Sequence, residues 1–254
     1  MNRLYETSKT AFSLLWICCY LGIVFVSERL SAWVGIEKSV TALTAIIFSV
    51  GIFFFIRKQQ PISEFGFAAV KNQLGSYLYF IPLAVIASVN LWNGVRMNFS
   101  VGETVLYIIS MVCVGFLEEV IFRGFLFTAL CRKNIRTAIV ISSLTFGIGH
   151  IVNLLNGAEV LGTLLQICYA TAVGFLFTII FYKSGSLVPC IITHSVINSL
   201  SVFGIERDSS FRIGVSALLT VISAAYAIWI IKKIPGEAEK FSKENVISSR
   251  TSIN

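Results

Sequence analysis

Charged residues are scarce in this sequence: Asp, Glu, Lys and Arg supply 13% of the 254 residues, whereas 56% are hydrophobic. A soluble globular domain has about 25% charged residues, so this composition excludes that class of protein. The six cysteines include no CxxC pair, which argues against metal or redox roles and favours small apolar core residues. No small-residue cleavage site follows the first apolar run, so this run is interpreted as a membrane span rather than a signal peptide.

Long apolar runs fill most of the chain, and each is close to the length of about 20 residues that crosses the hydrocarbon core. The sequence therefore predicts an all-α, polytopic membrane helix bundle of about eight transmembrane helices. The predicted spans are residues 10–27, 39–56, 74–91, 103–130, 137–155, 159–182, 186–204 and 211–231. Residues 1–234 form the predicted membrane domain, and the polar residues 235–254 are predicted to be a disordered cytoplasmic tail. Residues 61–73 are either an amphipathic helix at the membrane interface or an ordinary loop.

Positive charge is divided unevenly between the two predicted sides of the membrane. Of the 20 Lys and Arg residues, 14 lie on the side that holds both termini, 5 lie on the other side, and Arg123 lies within a span. The positive-inside rule then predicts cytoplasmic termini in a multi-pass protein of the plasma membrane. The net charge of +7 is explained by this topology and by contact with anionic lipid of the bilayer, so no nucleic-acid partner is needed.

Three charges interrupt the fourth predicted span, in FLEEVIFRGFL at residues 116–126. An ionisable residue at the centre of a span costs about 2.5–3.5 kcal/mol on insertion scales, so each is a candidate functional residue. Glu119 and Arg123 are spaced i, i+4 and are predicted to form a structural ion pair. Glu118 points about 140° away from Arg123 on a helical wheel and needs another partner, which favours a functional role.

The chain has two histidines, and both lie within predicted spans. Glu118 and His150 each lie 14 residues from an arginine at the predicted cytoplasmic end of their span, so both are about 21 Å from that surface. His194 is predicted about 16 Å from the same surface, and Asn198, one turn further along, about 22 Å from it. These four polar side chains are therefore expected to meet in one layer of the bundle.

Three short motifs carry a resemblance to a known family. They are EEVIFR at 118–123, FGIGH at 146–150 and HSVIN at 194–198. In this order they resemble the EExxxR, FxxxH and HxxxN motifs of the CAAX protease and bacteriocin-processing family, also called Abi, which includes the Ras-converting type of prenyl-protein endopeptidase. The resemblance covers about residues 60–204. It implies an intramembrane endopeptidase with an all-helical fold, in which Glu118, His150 and His194 carry catalysis.

Amide hydrolysis needs a base that activates water, a group that stabilises the oxyanion, and a proton donor for the leaving amine. Glu118 is the candidate base. His150 would share the water and later donate a proton to the amine. His194 and the Asn198 amide would donate to the oxyanion.

Three further residues are predicted to support this site. Glu119 and Arg123 would orient Glu118 from behind, as the residues around a catalytic group do. Phe146 lies one helical turn before His150 and is predicted to hold that histidine by packing rather than to take part in the chemistry.

The residue types leave the choice of cofactor open. Glu118, His150 and His194 would form a known type of catalytic zinc set with water in the fourth place. The sequence has no HExxH, however, and an Asn amide such as that of Asn198 is a poor zinc ligand and a good oxyanion donor. A mechanism without a metal is therefore favoured over a zinc mechanism.

Two other classes of protein remain as alternatives. A proton-coupled transporter would also bury Glu, His and Arg, although the broken helices and inverted repeats typical of transporters are not evident. A non-catalytic immunity or scaffold protein could keep the same fold. For a protease, the resemblance implies a prenylated C-terminal tail or a pheromone or bacteriocin precursor, so the expected partner is a small peptide or a lipid-anchored protein.

Overall fold

The computed structural model describes residues 2–59, 62–68, 80–92, 94–205 and 208–233. In these ranges the chain is helical apart from turns and one isolated bridge between Val95 and Gly204, which confirms the all-α fold. The α-helices are α1 (Asn2–Thr7), α2 (Lys9–Val34), α3 (Ser39–Lys58), α4 (Ile81–Ala87), α5 (Val101–Glu119), α6 (Thr128–Cys131), α7 (Ile135–Gly149), α8 (Val152–Leu155), α9 (Val160–Ser184), α10 (Val188–Leu200) and α11 (Ser209–Lys233). Short 3₁₀ segments cover Ile62–Phe65, Val89–Leu91 and Ser201–Phe203.

Within the described ranges, six helices are long and apolar enough to cross a membrane, which confirms a polytopic bundle. They correspond to the first, second, fourth, fifth, sixth and eighth predicted spans. The seventh predicted span is a shorter apolar helix, Val188–Phe203. The described part of the third predicted span contains only the short helix α4 and the 3₁₀ segment Val89–Leu91. Residues 74–79 of that span, residues 61 and 69–73 of the predicted interfacial segment, and the whole of 235–254 lie outside the described residues.

We call the end of the bundle at which α2 begins the near end. Contacts between loops show which other elements lie there. Lys9 and Arg132 each place a side-chain nitrogen 3.7 Å from the Glu64 carboxylate. The backbone N–H of Leu187 donates to the carbonyl of Gly66 at 2.8 Å. The near end therefore brings together the start of α2, the loop after α3, the end of α6 and the start of α10.

The opposite end, which we call the far end, is where α2 ends and α9 begins. There the Arg29 guanidinium donates to the carbonyl of Leu155. Arg212, near the start of α11, donates to Glu159, which precedes α9, at 2.6 Å. Because α9 and α11 both begin at the far end, they run in the same direction, and α11 ends at the near end.

The bundle is built around α9, which packs against α7 on one side and α11 on the other. More than half of its most apolar window is buried, 56% against at most 39% for the other spans, so α9 is the central helix. A second set of contacts joins α5 to both α3 and α10. The contact between α5 and α10 is close, because a Cβ on Gly115 would lie 2.7 Å from the backbone nitrogen of Ser195. A glycine at this position therefore lets the two helices approach each other.

The helix of the charged motif changes geometry directly after the glutamates. A π-helical segment, Val120–Phe127, joins α5 to α6, and all of its residues are buried. The Thr128 hydroxyl donates to the carbonyl of Arg123 at 3.1 Å, five residues earlier. Short π segments inside α-helices occur frequently at functional sites, where they change the direction of side chains.

The helix that carries His194 begins later than the sequence predicts. The predicted depth of His194 requires a helix from Lys183 onward, but α10 begins at Val188. Gly185 ends α9 in the left-handed conformation with a φ of 69°, and Pro189 lies in the first turn of α10. Glycine after the last turn and proline in the first turn are the residues that end one helix and begin the next.

Candidate active site

Glu118 and Glu119 occupy adjacent positions at the end of α5 but differ in access to water. The Glu118 side chain is 13% exposed, whereas that of Glu119 is fully buried. Glu118 Oε1 accepts a hydrogen bond of 2.6 Å from the Tyr20 hydroxyl on α2. Its other oxygen, Oε2, is buried and accepts no hydrogen bond from the described residues. One oxygen of Glu118 is thus held in place, and the other lies 3.5 Å from His194 Nε2 without a hydrogen bond.

His194 connects the two glutamates. Its Nδ1 lies 2.9 Å from Glu119 Oε1, and its Nε2 lies 3.5 Å from Glu118 Oε2. Since an ionised carboxylate only accepts hydrogen bonds, the geometry assigns a proton to Nδ1 of His194. Nε2 then faces Glu118. The predicted meeting of Glu118 and His194 is present in the structure.

The predicted ion pair is also present: Arg123 Nη1 donates to Glu119 Oε1 at 3.0 Å, and both side chains are fully buried. Arg123 Nη2 donates to the carbonyl of Gly174 on α9 at 3.1 Å. The same Glu119 oxygen accepts from His194. The pair therefore contacts His194 rather than Glu118, which differs from the prediction that it would orient Glu118 from behind. The hydroxyl of Tyr20 makes that contact instead.

Phe146 packs among the charged groups. The guanidinium carbon of Arg123 lies 4.1 Å from the centre of the Phe146 ring, a separation suited to a cation–π contact. The ring also meets His150 and His194 edge to face, with centroid distances of 5.4 and 5.6 Å. Phe146 is thus a spacer between both histidines and Arg123, and not a support for His150 alone.

His150 is placed at the end of α7, where its Nδ1 lies 3.1 Å from the carbonyl of Phe146. A carbonyl oxygen only accepts, so Nδ1 carries the proton and donates it. In the neutral ring the lone pair is then on Nε2, which is available to take up a proton. His150 lines the same cavity as Glu118 and His194 but makes no hydrogen bond to either of them.

A cavity of about 790 Å³ joins these groups. Glu118, His150, His194 and Asn198 all contribute to its wall, as does Tyr20. Its volume lies in the range of small-molecule and peptide pockets, about 300–1,000 Å³. The Asn198 amide is half-buried and makes no hydrogen bond to the described residues, so it is available to a ligand. All four predicted catalytic residues therefore border one space.

Tyr20 is the site residue that the sequence interpretation missed. It lies 98 residues from Glu118 and is 3% exposed. The sequence does not distinguish it, because the first predicted span also contains the hydroxyls of Thr10, Ser13 and Ser27.

A catalytic zinc ion needs three protein ligands that point at one position, with water in the fourth place. Among the described residues, no group of three His, Cys, Asp or Glu side chains is placed to hold a metal ion. The contacts of Nδ1 of His194 with Glu119 and of Nδ1 of His150 with a carbonyl are ones that metal-binding histidines also make, so they do not decide the question. The placement of the described residues decides it, because Glu118, His150 and His194 are not arranged as three ligands of one metal ion.

Residues 100–200 match the family model described as Type II CAAX prenyl endopeptidase Rce1-like. This region contains α5, the π-helical segment, α7 and α10, and hence each residue of the three motifs. The match to this family model confirms the resemblance that the three motifs indicate. No curated protein and no solved structure matches the chain.

Proposed function

We propose that this chain is an intramembrane endopeptidase in which Glu118 activates a water molecule to hydrolyse a peptide bond, and the match of residues 100–200 to the CAAX prenyl endopeptidase model supports this class of activity. The observation that supports this role is the asymmetry of the Glu118 carboxylate. Tyr20 holds Oε1 at 2.6 Å, while Oε2 has no hydrogen-bond partner among the described residues, and Glu118 lines the cavity. A general base must be oriented and must also have one free oxygen within reach of water.

The first step is attack of water on the carbonyl carbon of the substrate. Glu118 Oε2 takes a proton from the water, and the water oxygen forms a bond to the carbonyl carbon. The carbonyl oxygen then carries the negative charge of the tetrahedral intermediate. His194 Nε2 and the Asn198 amide border the cavity near Glu118 and are the proposed donors to this oxyanion. Nε2 of His194 donates to the oxyanion when the ring carries a proton on each nitrogen.

Collapse of the intermediate breaks the carbon–nitrogen bond, and the leaving nitrogen must gain a proton. His150 is the proposed carrier, because its Nε2 has the lone pair when Nδ1 donates to Phe146. The proton that Glu118 removed from water passes through His150 to the amine, which returns both groups to their starting state. Transfer through a positioned acid and base contributes about 10²–10⁴ to the rate of such reactions.

The substrate is proposed to be a small peptide or the tail of a lipid-anchored protein that reaches the cavity within the membrane. The protein is proposed to lie in the plasma membrane with both termini in the cytoplasm, as the distribution of Lys and Arg favours. The test is incubation of the purified protein in liposomes with a library of synthetic peptides, followed by mass spectrometry. Paired fragments that appear with time are the expected result. Peptides that are all recovered intact, with the protein folded, would reject the proposed activity.

Substitution of Tyr20 by Phe tests whether this residue positions the base. The variant keeps the ring but removes the hydrogen bond to Glu118 Oε1. A hydrogen bond to a charged group contributes about 1.5–3 kcal/mol, so we expect kcat to fall by about tenfold or more with little change in KM. Peptide cleavage by the purified variant measures both constants, and thermal unfolding reports whether the fold is intact.

Tyr107→Phe is the matched control, because Tyr107 lines the same cavity but bonds to Ser201 at 3.0 Å rather than to Glu118. A much smaller loss of kcat is expected for it. Equal losses of kcat in the two variants would show that the Tyr20 hydroxyl has no special role in positioning Glu118.

A further inference from the structure

The two site histidines lie where a helix is short or interrupted. From Val188 to Leu200, α10 has 13 residues and extends about 20 Å, whereas the hydrocarbon core is about 30 Å thick. His194 lies on this short helix. His150 lies at the end of α7, where a turn joins α7 to α8, and α8 continues to Leu155 at the far end.

The rim of the cavity consists of far-end residues. It includes Asn156, Gly157 and Ala158 from the loop before α9, and Arg212 from the start of α11. Lys38, at the start of α3, lies on the same rim and is paired with Glu28 on α2 at 2.7 Å. Of the described residues, none from the near-end loops lines the cavity. The cavity therefore opens at the far end, whereas the described chain begins and ends at the near end.

The wall between this opening and Glu118 carries amide side chains. Asn153 donates to Gln166 Oε1 at 2.9 Å, and both line the cavity. Asn156 Oδ1 is buried and has no hydrogen-bond partner within the described ranges. An unpaired buried acceptor costs about 1–3 kcal/mol, which a peptide N–H arriving from the opening would offset. Amides offer both donors and acceptors, as a peptide backbone does.

The distribution of Lys and Arg indicates which side of the membrane the far end faces. The side with 5 Lys and Arg residues includes Arg29, Lys38 and Arg212, all of which are at the far end. The side with 14 includes Lys9 and Arg132, which meet at the near end. The positive-inside rule therefore places the near end in the cytoplasm and the opening of the cavity on the other side.

We propose that the site takes its peptide from the non-cytoplasmic face of the membrane, through the far-end opening and past Asn153, Asn156 and Gln166. This inference rests on the proposed endopeptidase activity for its substrate, although the sidedness of the opening can be measured without it. The substrate class is then a peptide or membrane-tethered segment that is exposed outside the cytoplasm when it is cut.

The test uses single cysteines in a variant whose six native cysteines are replaced by alanine. Ala158→Cys lies on the rim, and Ser63→Cys, in the exposed 3₁₀ segment at the near end, is the matched control. Right-side-out and inverted membrane vesicles are treated with a membrane-impermeant maleimide, and the labelled fraction is measured by mass spectrometry. We expect Ala158→Cys to be labelled at least about tenfold faster in right-side-out vesicles and Ser63→Cys to show the reverse, because each lies at the surface of one end.

Labelling of Ala158→Cys from the cytoplasmic side, or from neither side while Ser63→Cys reacts, would overturn the proposal. Peptide cleavage is measured separately by adding the library to each kind of vesicle. Cleavage in right-side-out but not inverted vesicles supports the proposal, and the reverse overturns it. Labelling as expected without cleavage in any preparation contradicts the proposed activity while leaving the sidedness of the opening supported.

Discussion

Substitution of Glu118 by Gln is expected to reduce peptide cleavage by at least about a hundredfold without changing membrane insertion or the thermal unfolding midpoint. The Gln side chain has nearly the same size and can still accept the hydrogen bond from Tyr20. It cannot take a proton from water at Oε2, so the chemical step loses its base. The rate of fragment formation by purified protein in liposomes measures this effect.

Glu28→Gln is the matched control for this prediction. Glu28 lines the same cavity but pairs with Lys38 at the far end rather than with His194. Its substitution should therefore retain most of the cleavage rate. Near-normal cleavage by Glu118→Gln, or an equal loss in both variants, would reject Glu118 as the base.

Arg123→Met is expected to lower the free energy of unfolding by about 3–5 kcal/mol. The change leaves the fully buried Glu119 without its ion-pair partner and removes the contact of the guanidinium with Phe146. The size of the loss follows from burial, because removal of one partner leaves a charge that water cannot reach. Unfolding in mixed detergent micelles, monitored by loss of helicity, provides the measurement.

Two comparisons isolate the buried charge as the cause. Arg132→Met removes an arginine from an exposed pair with Glu64 at 3.7 Å and should cost less than about 1 kcal/mol. The double variant Glu119→Gln with Arg123→Met leaves no unpaired charge and should recover much of the lost stability, because Gln still accepts from His194 Nδ1. Arg123→Met as stable as the parent protein would show that the pair does not stabilise the fold.

The charged motif could be read from the sequence because its charges interrupt an apolar span. The Glu119–Arg123 pair follows from i, i+4 spacing alone, and the structure contains it. The second contact of Glu119, with His194, depends on how α5 and α10 pack at Gly115 and Ser195. Helical periodicity describes one helix at a time and does not predict such contacts between helices.

The role of Tyr20 and the shape of the cavity were not predictable in the same way. A tyrosine in a span of aromatic and aliphatic residues has no local signal that distinguishes it, and its partner lies 98 residues away. The apolar runs 137–155 and 186–204 continue past the ends of α7 and α10, so composition does not show where these helices end. A turn after Gly149 and the 3₁₀ segment Ser201–Phe203 interrupt the two runs, and His150 and Ser201 at these interruptions line the cavity.

The most direct test of the central assignment is peptide cleavage in water enriched with heavy oxygen. If Glu118 activates water for attack on the peptide carbonyl, each new carboxyl terminus carries one heavy oxygen atom, and Glu118→Gln forms almost no labelled product. Mass spectra of the fragments give both results in one experiment. Fragments without the label, or the same labelled fragments at an undiminished rate from Glu118→Gln, would contradict the account.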